Sequence, residues 1–170
     1  MNRLIQRVLV AVALVAALLA GGVTVALPAH AASGKQHIVL KLQLDSMNRH
    51  DMDGGMIYGT VHFVGNGTWN GAPVSAEWDG AFAYMNGEGP GSAQITITTK
   101  DGAKAGIAFN SHTTVSDSTT TFVGPSRFLG GTGSLAGISG KGTMKGVRSG
   151  KIGNPLTITI NTSSNLPAPK

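Results

Sequence analysis

The chain has 170 residues with 25 glycines, no cysteine, 12% charged residues and a formal charge of +5 at pH 7. Without cysteine there is no disulfide scaffold, thiolate catalysis or cysteine-held metal, so burial and strand pairing have to hold the fold. Lysines and arginines are dispersed rather than clustered, which gives no support to a nucleic-acid partner.

Met1 to Ala31 has the pattern of a secretory signal. Arg3 and Arg7 form a positive start, Val8 to Leu27 is uncharged and mostly apolar, and Ala29-His30-Ala31 fits an A-x-A cleavage site. The apolar run approaches the ~20 residues that span a bilayer, so an uncleaved anchor is the competing reading. Gly21, Gly22, Pro28 and the small residues before the cut favour cleavage. Cleavage predicts a secreted protein with no stable membrane association. It removes two arginines and no acids, leaving 139 residues with 11 Lys+Arg against 8 Asp+Glu, a net +3. That length suits one domain, predicted over residues 32–160, with a loose, proline-punctuated tail over 161–170.

The first predicted strand is Gln36 to Asp45, where Ile38, Leu40, Leu42 and Leu44 alternate with more polar neighbours. Ser46 to Gly55 reads as a polar loop. Its His50, Asp51 and Asp53 invite a metal reading, but a calcium-loop template with Gly54 at its glycine position puts Arg49 and Thr60 at the ligand ends. A turn in which Asp bonds its own backbone is the better account.

A second strand, Met56 to Asn66, puts Met56, Tyr58, Thr60, His62 and Val64 on one face and Ile57, Gly59, Val61 and Phe63 on the other. Tyr58 and His62 lie four residues apart on a strand, about 13 Å between Cα atoms, and do not form a contacting pair. Histidine exchanges protons near neutral pH, which makes His62 a candidate base as well as a structural residue. Asn66-Gly67 and Asn70-Gly71 signal turns around Trp69.

Val74 to Met85 is a third strand with a bend at Gly80. Ala76, Trp78, Gly80, Phe82 and Tyr84 share a face opposite Ser75, Glu77 and Asp79. This aromatic stripe is either core packing or the wall of an apolar cavity, which in a barrel are the same surface. Ala93 to Thr99 and Lys104 to Ser111 read as a hairpin through Lys100-Asp101-Gly102, with His112 in a following polar loop. Asp117 to Val123 leads into the glycine-rich run, and Leu156 to Asn161 is the last strand.

In the glycine-rich run, Gly124 to Gly146, Pro125 to Leu129 reads as one short helical turn and Ile138 to Val147 as a strand. Gly131-Thr-Gly133-Ser-Leu-Ala136 has the spelling of a dinucleotide fingerprint. The glycines that follow cannot sustain the helix such a site needs, and no acidic residue follows Asp117. Gly137-Ile-Ser139-Gly140 is one residue short of a nucleophile elbow. Glu77 and Glu88 could in principle form a glycosidase-type carboxylate pair, but nothing in the sequence fixes their separation and each reads better as a solvated surface charge.

Short strands, turn clusters and no sustained helix predict an all-β domain. A closed antiparallel barrel of about eight strands is favoured over a sandwich, because closure removes free edges and glycine suits curved strands. The segment Phe122 to Thr143, with GGTGSLAGISGKGT at its centre, resembles the GGTGxFAGAxGxGT signature of the allene oxide cyclase-like and dirigent-like barrels. It departs at Leu135, where an aromatic is common in that family.

The resemblance implies a cofactor-free cyclase or isomerase that orients an unsaturated, largely apolar substrate. On that reading Trp78, Phe82 and Tyr84 line the ligand, with Tyr58 and His62 as polar catalytic groups, joined by Glu77 if its face points inward. No metal and no cofactor is predicted. The alternative is a non-catalytic extracellular module that captures an apolar molecule or joins an assembly. A homo-oligomer is compatible with either.

Overall fold

The computed structural model describes residues 34–169; the predicted signal segment lies outside the described residues. Eight strands follow in order: β1 (Gly34–Asp51), β2 (Met56–Trp69), β3 (Ala72–Met85), β4 (Gly89–Thr99), β5 (Lys104–Ser116), β6 (Thr119–Gly131), β7 (Lys141–Ser149) and β8 (Leu156–Ser164). Each pairs antiparallel with its chain neighbours, and β8 returns to β1 from Gly34 opposite Ser164 to Leu42 opposite Leu156. The result is a closed up-and-down barrel, as the strand pattern predicts. The only helical pieces among the described residues are two single 3-10 turns, Asp53–Gly55 and Gly133–Leu135.

Period-two alternation fills the interior. Ile38, Leu40 and Leu42 of β1 meet Ile158 and Ile160 of β8, Met144 of β7, and Ile95, Ile97 and Ile107 of β4 and β5, all at most 1% exposed. Each such side chain contributes about 1.5–3 kcal/mol by leaving water. The middle of the barrel is therefore packed solid.

The end carrying the β2–β3, β4–β5 and β6–β7 connections is plugged. Residues 132–140 fold back over it and bury Leu135 and Ile138, both 2% exposed. Beside them Trp69 stacks on Phe128 and donates from Nε1 to Gln36 Oε1 at 2.7 Å. Gln36 in turn donates to Ser164 Oγ and to the Leu166 carbonyl, which ties the tail to this end. Ser134 donates to Asp101 at 3.0 Å and joins the plug to the β4–β5 turn. The plug leaves the wall through Gly140. Its φ of +154° suits glycine, and a Cβ there would overlap the Ser163 carbonyl oxygen.

Several predicted boundaries move. Residues 46–51 are strand rather than loop, because β1 continues past a bulge between Leu44 and Ser46 while still paired to β2. Residues 112–116 extend β5, and β8 runs through Ser164 into the predicted tail. Pro125 to Leu129 is strand, not a helical turn: β6 pairs with β7 from Thr119 to Arg127. Proline lacks the N–H for a second ladder, and the β5–β6 pairing skips from Ser126 to Val123 beside Pro125. β7 begins at Lys141, since Ile138 is used by the plug.

Candidate functional site

The opposite end, the mouth, carries the β1–β2, β3–β4, β5–β6 and β7–β8 connections, and the interior there is different in kind. The predicted stripe of β3 points inward: Trp78, Phe82 and Tyr84 are all buried. Trp78 tilts against Phe63 at 5.9 Å and meets Phe109 edge-on at 4.9 Å, while Phe82 stacks on Tyr84 at 5.0 Å. Gly80 makes this possible, because the Trp78 indole lies where a Cβ at position 80 would sit. These rings, with Phe122 of β6, surround a chamber of about 30 Å³. Ile152, half-buried in the β7–β8 loop, covers it.

Arg148 also lines this chamber, and sequence reasoning did not single it out. It sits on the inward face of β7 after Met144 and Gly146, 6% exposed, in a barrel whose buried described residues include no Asp or Glu. Its Nη2 donates to Thr120 Oγ1 at 3.3 Å, its guanidinium lies 5.2 Å above the Phe122 ring, and its Nε has no partner. Burial lowers the Arg148 pKa, with the Tyr84 hydroxyl acting in the opposite sense. Trp78 Nε1 is a second buried donor with no acceptor. The parity of β7, in which Lys141, Thr143 and Lys145 alternate with Gly142, Met144 and Gly146, is the sequence signal that places Arg148 inside.

Tyr84 accepts a hydrogen bond from Thr113 Oγ1 at 3.2 Å. Burial pushes its pKa up, against the smaller opposing effects of the Thr113 bond and the Arg148 charge. The unfolded phenol titrates at about 10. Above that pH the unfolded state gives up a proton that the folded state keeps, so stability declines as pH rises from about 10 toward the higher folded value. Tyr84→Phe should remove this part of the alkaline decline, read as urea midpoints at about pH 9 and about pH 11.

The other predicted site residues stand elsewhere. Tyr58 and His62 lie on the outward face of β2, because Ile57, Val61, Phe63 and Trp69 take the inward one. Tyr58 is 42% exposed and stacks on His50. Glu77 is exposed on the outward face of β3. The structure thus brings Trp78, Phe82 and Tyr84 together and separates them from Tyr58, His62 and Glu77.

On the outside, a broad groove of about 920 Å³ crosses the wall and includes Ser46, His62, Asp79, Arg127 and Lys141. His62 Nδ1 pairs with Asp79 Oδ1 at 2.8 Å, and Ser46 stands opposite His62 on β1. The row has the order of a nucleophile, base and acid, but not the physics. No hydrogen bond joins Ser46 to His62, and the Asp79 side chain is 76% exposed, so water screens the charge that would orient an imidazolium. In the β1–β2 hairpin Arg49 pairs with Asp51, and among the described residues no three His, Asp or Glu side chains are placed to hold a metal ion.

No family model, curated protein or solved structure matches this chain.

Proposed function

We propose that this is a secreted barrel that holds a small, largely apolar molecule in the aromatic chamber at its mouth, with Tyr84 and Arg148 as the polar groups that orient it. One observation carries the reading: aromatic walls enclose two buried donors, Trp78 Nε1 and Arg148 Nε, that have no acceptor in the protein. Buried donors without partners are costly, and a ligand acceptor relieves that cost. The chamber is small, with about 30 Å³ open to the centre of a water-sized sphere, so a larger ligand enters by displacing Ile152 and the β7–β8 loop.

In the cyclase or isomerase form of this proposal, the walls confine a reactive conformer while Arg148 and Tyr84 stabilise developing negative charge. The resemblance of residues 122–143 to allene oxide cyclase-like and dirigent-like barrels supports that form. Non-catalytic capture is the second reading, favoured by the small volume and by the outward placement of Tyr58, His62 and Glu77.

An environment-sensitive apolar dye tests the chamber directly. In a Trp69→Phe background, dye inside the barrel accepts energy from Trp78, and Ile152→Ala speeds its entry. Absence of energy transfer in both proteins would remove the ligand reading.

A further inference from the structure

Arg148 is the one buried cation among the described residues, and its surroundings contain nothing negative. The two ion pairs found there, Arg49–Asp51 and His62–Asp79, both lie outside the barrel. Taking a guanidinium out of water without a counter-ion is among the most expensive events in folding. The Phe122 face and one long hydrogen bond to Thr120 recover little of that.

The chamber wall offers unaccepted donors and no carboxylate. Arg148 Nε and Trp78 Nε1 are both unaccepted, and Tyr84 accepts from Thr113 Oγ1. Ser111 Oγ, on the same wall, already donates weakly to the Gly91 carbonyl. A water could accept from Arg148 Nε and donate to a wall hydroxyl such as Ser111 Oγ, but it would leave the guanidinium charge unbalanced. An anion needs only donors. About 30 Å³ there is open to the centre of a water-sized sphere, enough to seat an ion of halide size.

We propose that the chamber is an anion site: a small, dehydrated monovalent anion of halide size sits in the closed barrel as the counter-ion of Arg148, with Tyr84 as a further donor. The site rests on the same two unaccepted donors as the proposed ligand reading, and adds the missing counter-charge as its own ground. Dye uptake and anion binding report different occupants of one space, so either can fail alone.

The test uses bromide, whose heavy atom quenches an indole at contact, exchanged against gluconate at constant ionic strength. The chain has two tryptophans, so Trp69→Phe leaves Trp78 as the sole reporter. The proposal expects saturable quenching of Trp78 by bromide and a thermal midpoint that climbs with bromide concentration, as binding to the native state alone requires. In Arg148→Met, of similar length but uncharged, the quenching becomes non-saturable and the bromide-dependent climb disappears. The general effect of swapping salts is common to both proteins and cancels in their difference. Equal midpoint shifts in the two proteins, or quenching that never saturates in the Arg148 protein, would overturn the site. Should Arg148→Met not fold, the saturation behaviour of the Trp69→Phe protein decides alone.

Discussion

Trp69→Ala is expected to lower the unfolding free energy by about 3–5 kcal/mol, the cost of deleting a large buried aromatic. Trp69 is fully buried, stacks on Phe128 at 5.7 Å and is the donor that holds Gln36 Oε1 at 2.7 Å. Truncation opens a cavity and leaves that buried oxygen with only a long contact from Asn70 Nδ2 at 3.4 Å. Gln36 also anchors Ser164 and Leu166, so the loss spreads to the β1–β8 seam that closes the barrel. Against a typical total of about 5–15 kcal/mol, this is about a fifth or more of the stability. Urea unfolding followed by far-ultraviolet circular dichroism measures it, and Trp69→Phe, which keeps the stack, should lose clearly less.

Leu135→Ala carries the second large effect, about 2–5 kcal/mol by the same cavity argument. Leu135 is 2% exposed on a single 3-10 turn, and its carbonyl accepts from Ile138 N at 3.1 Å. Both buried side chains of the plug therefore depend on that turn. The loss should appear first as faster hydrogen exchange at the plugged end, in the amides of residues 132–140 and their neighbours in β8, and then as a lower urea midpoint. A fall below about 0.5 kcal/mol would mean that the plug can collapse around the vacancy. The glycine-rich segment that resembles a family signature thus has a structural job here: it turns the chain inward and stops one end of the barrel.

The alternation of β1, β3 and β4 made the barrel legible. Ile38-Leu40-Leu42 reads as core and Trp78-Phe82-Tyr84 as core or cavity wall, and the structure turns both sets inward. Chain ends of the strands were not legible where the barrel flares. Beyond Leu44 both faces of β1 meet water, so residues 46–51 carry no alternation and read as loop while remaining paired to β2.

For β2 the sequence separated the two faces but did not rank them. Tyr58, His62 and Val64 look as burial-worthy as Ile57 and Val61 until the shared parity of Phe63 and Trp69 is used to choose. Half of the candidate site followed from the β3 stripe. Arg148 did not, because a charged residue on an inward position is what the alternation rule expects never to find. It is there that the chain departs from plain core chemistry, and such departures mark the places where function is to be sought.

The proposed function requires the mouth chamber to hold a small molecule. Native mass spectrometry of the protein, purified from its own source without detergent, tests it most directly. The expected result is a bound species of small mass that is retained under gentle ionisation and lost when Arg148 is replaced by Met and Tyr84 by Phe in a still-folded barrel. A bare protein mass, unchanged after exposure to apolar small molecules and to bromide, would contradict it and leave a solidly packed structural barrel.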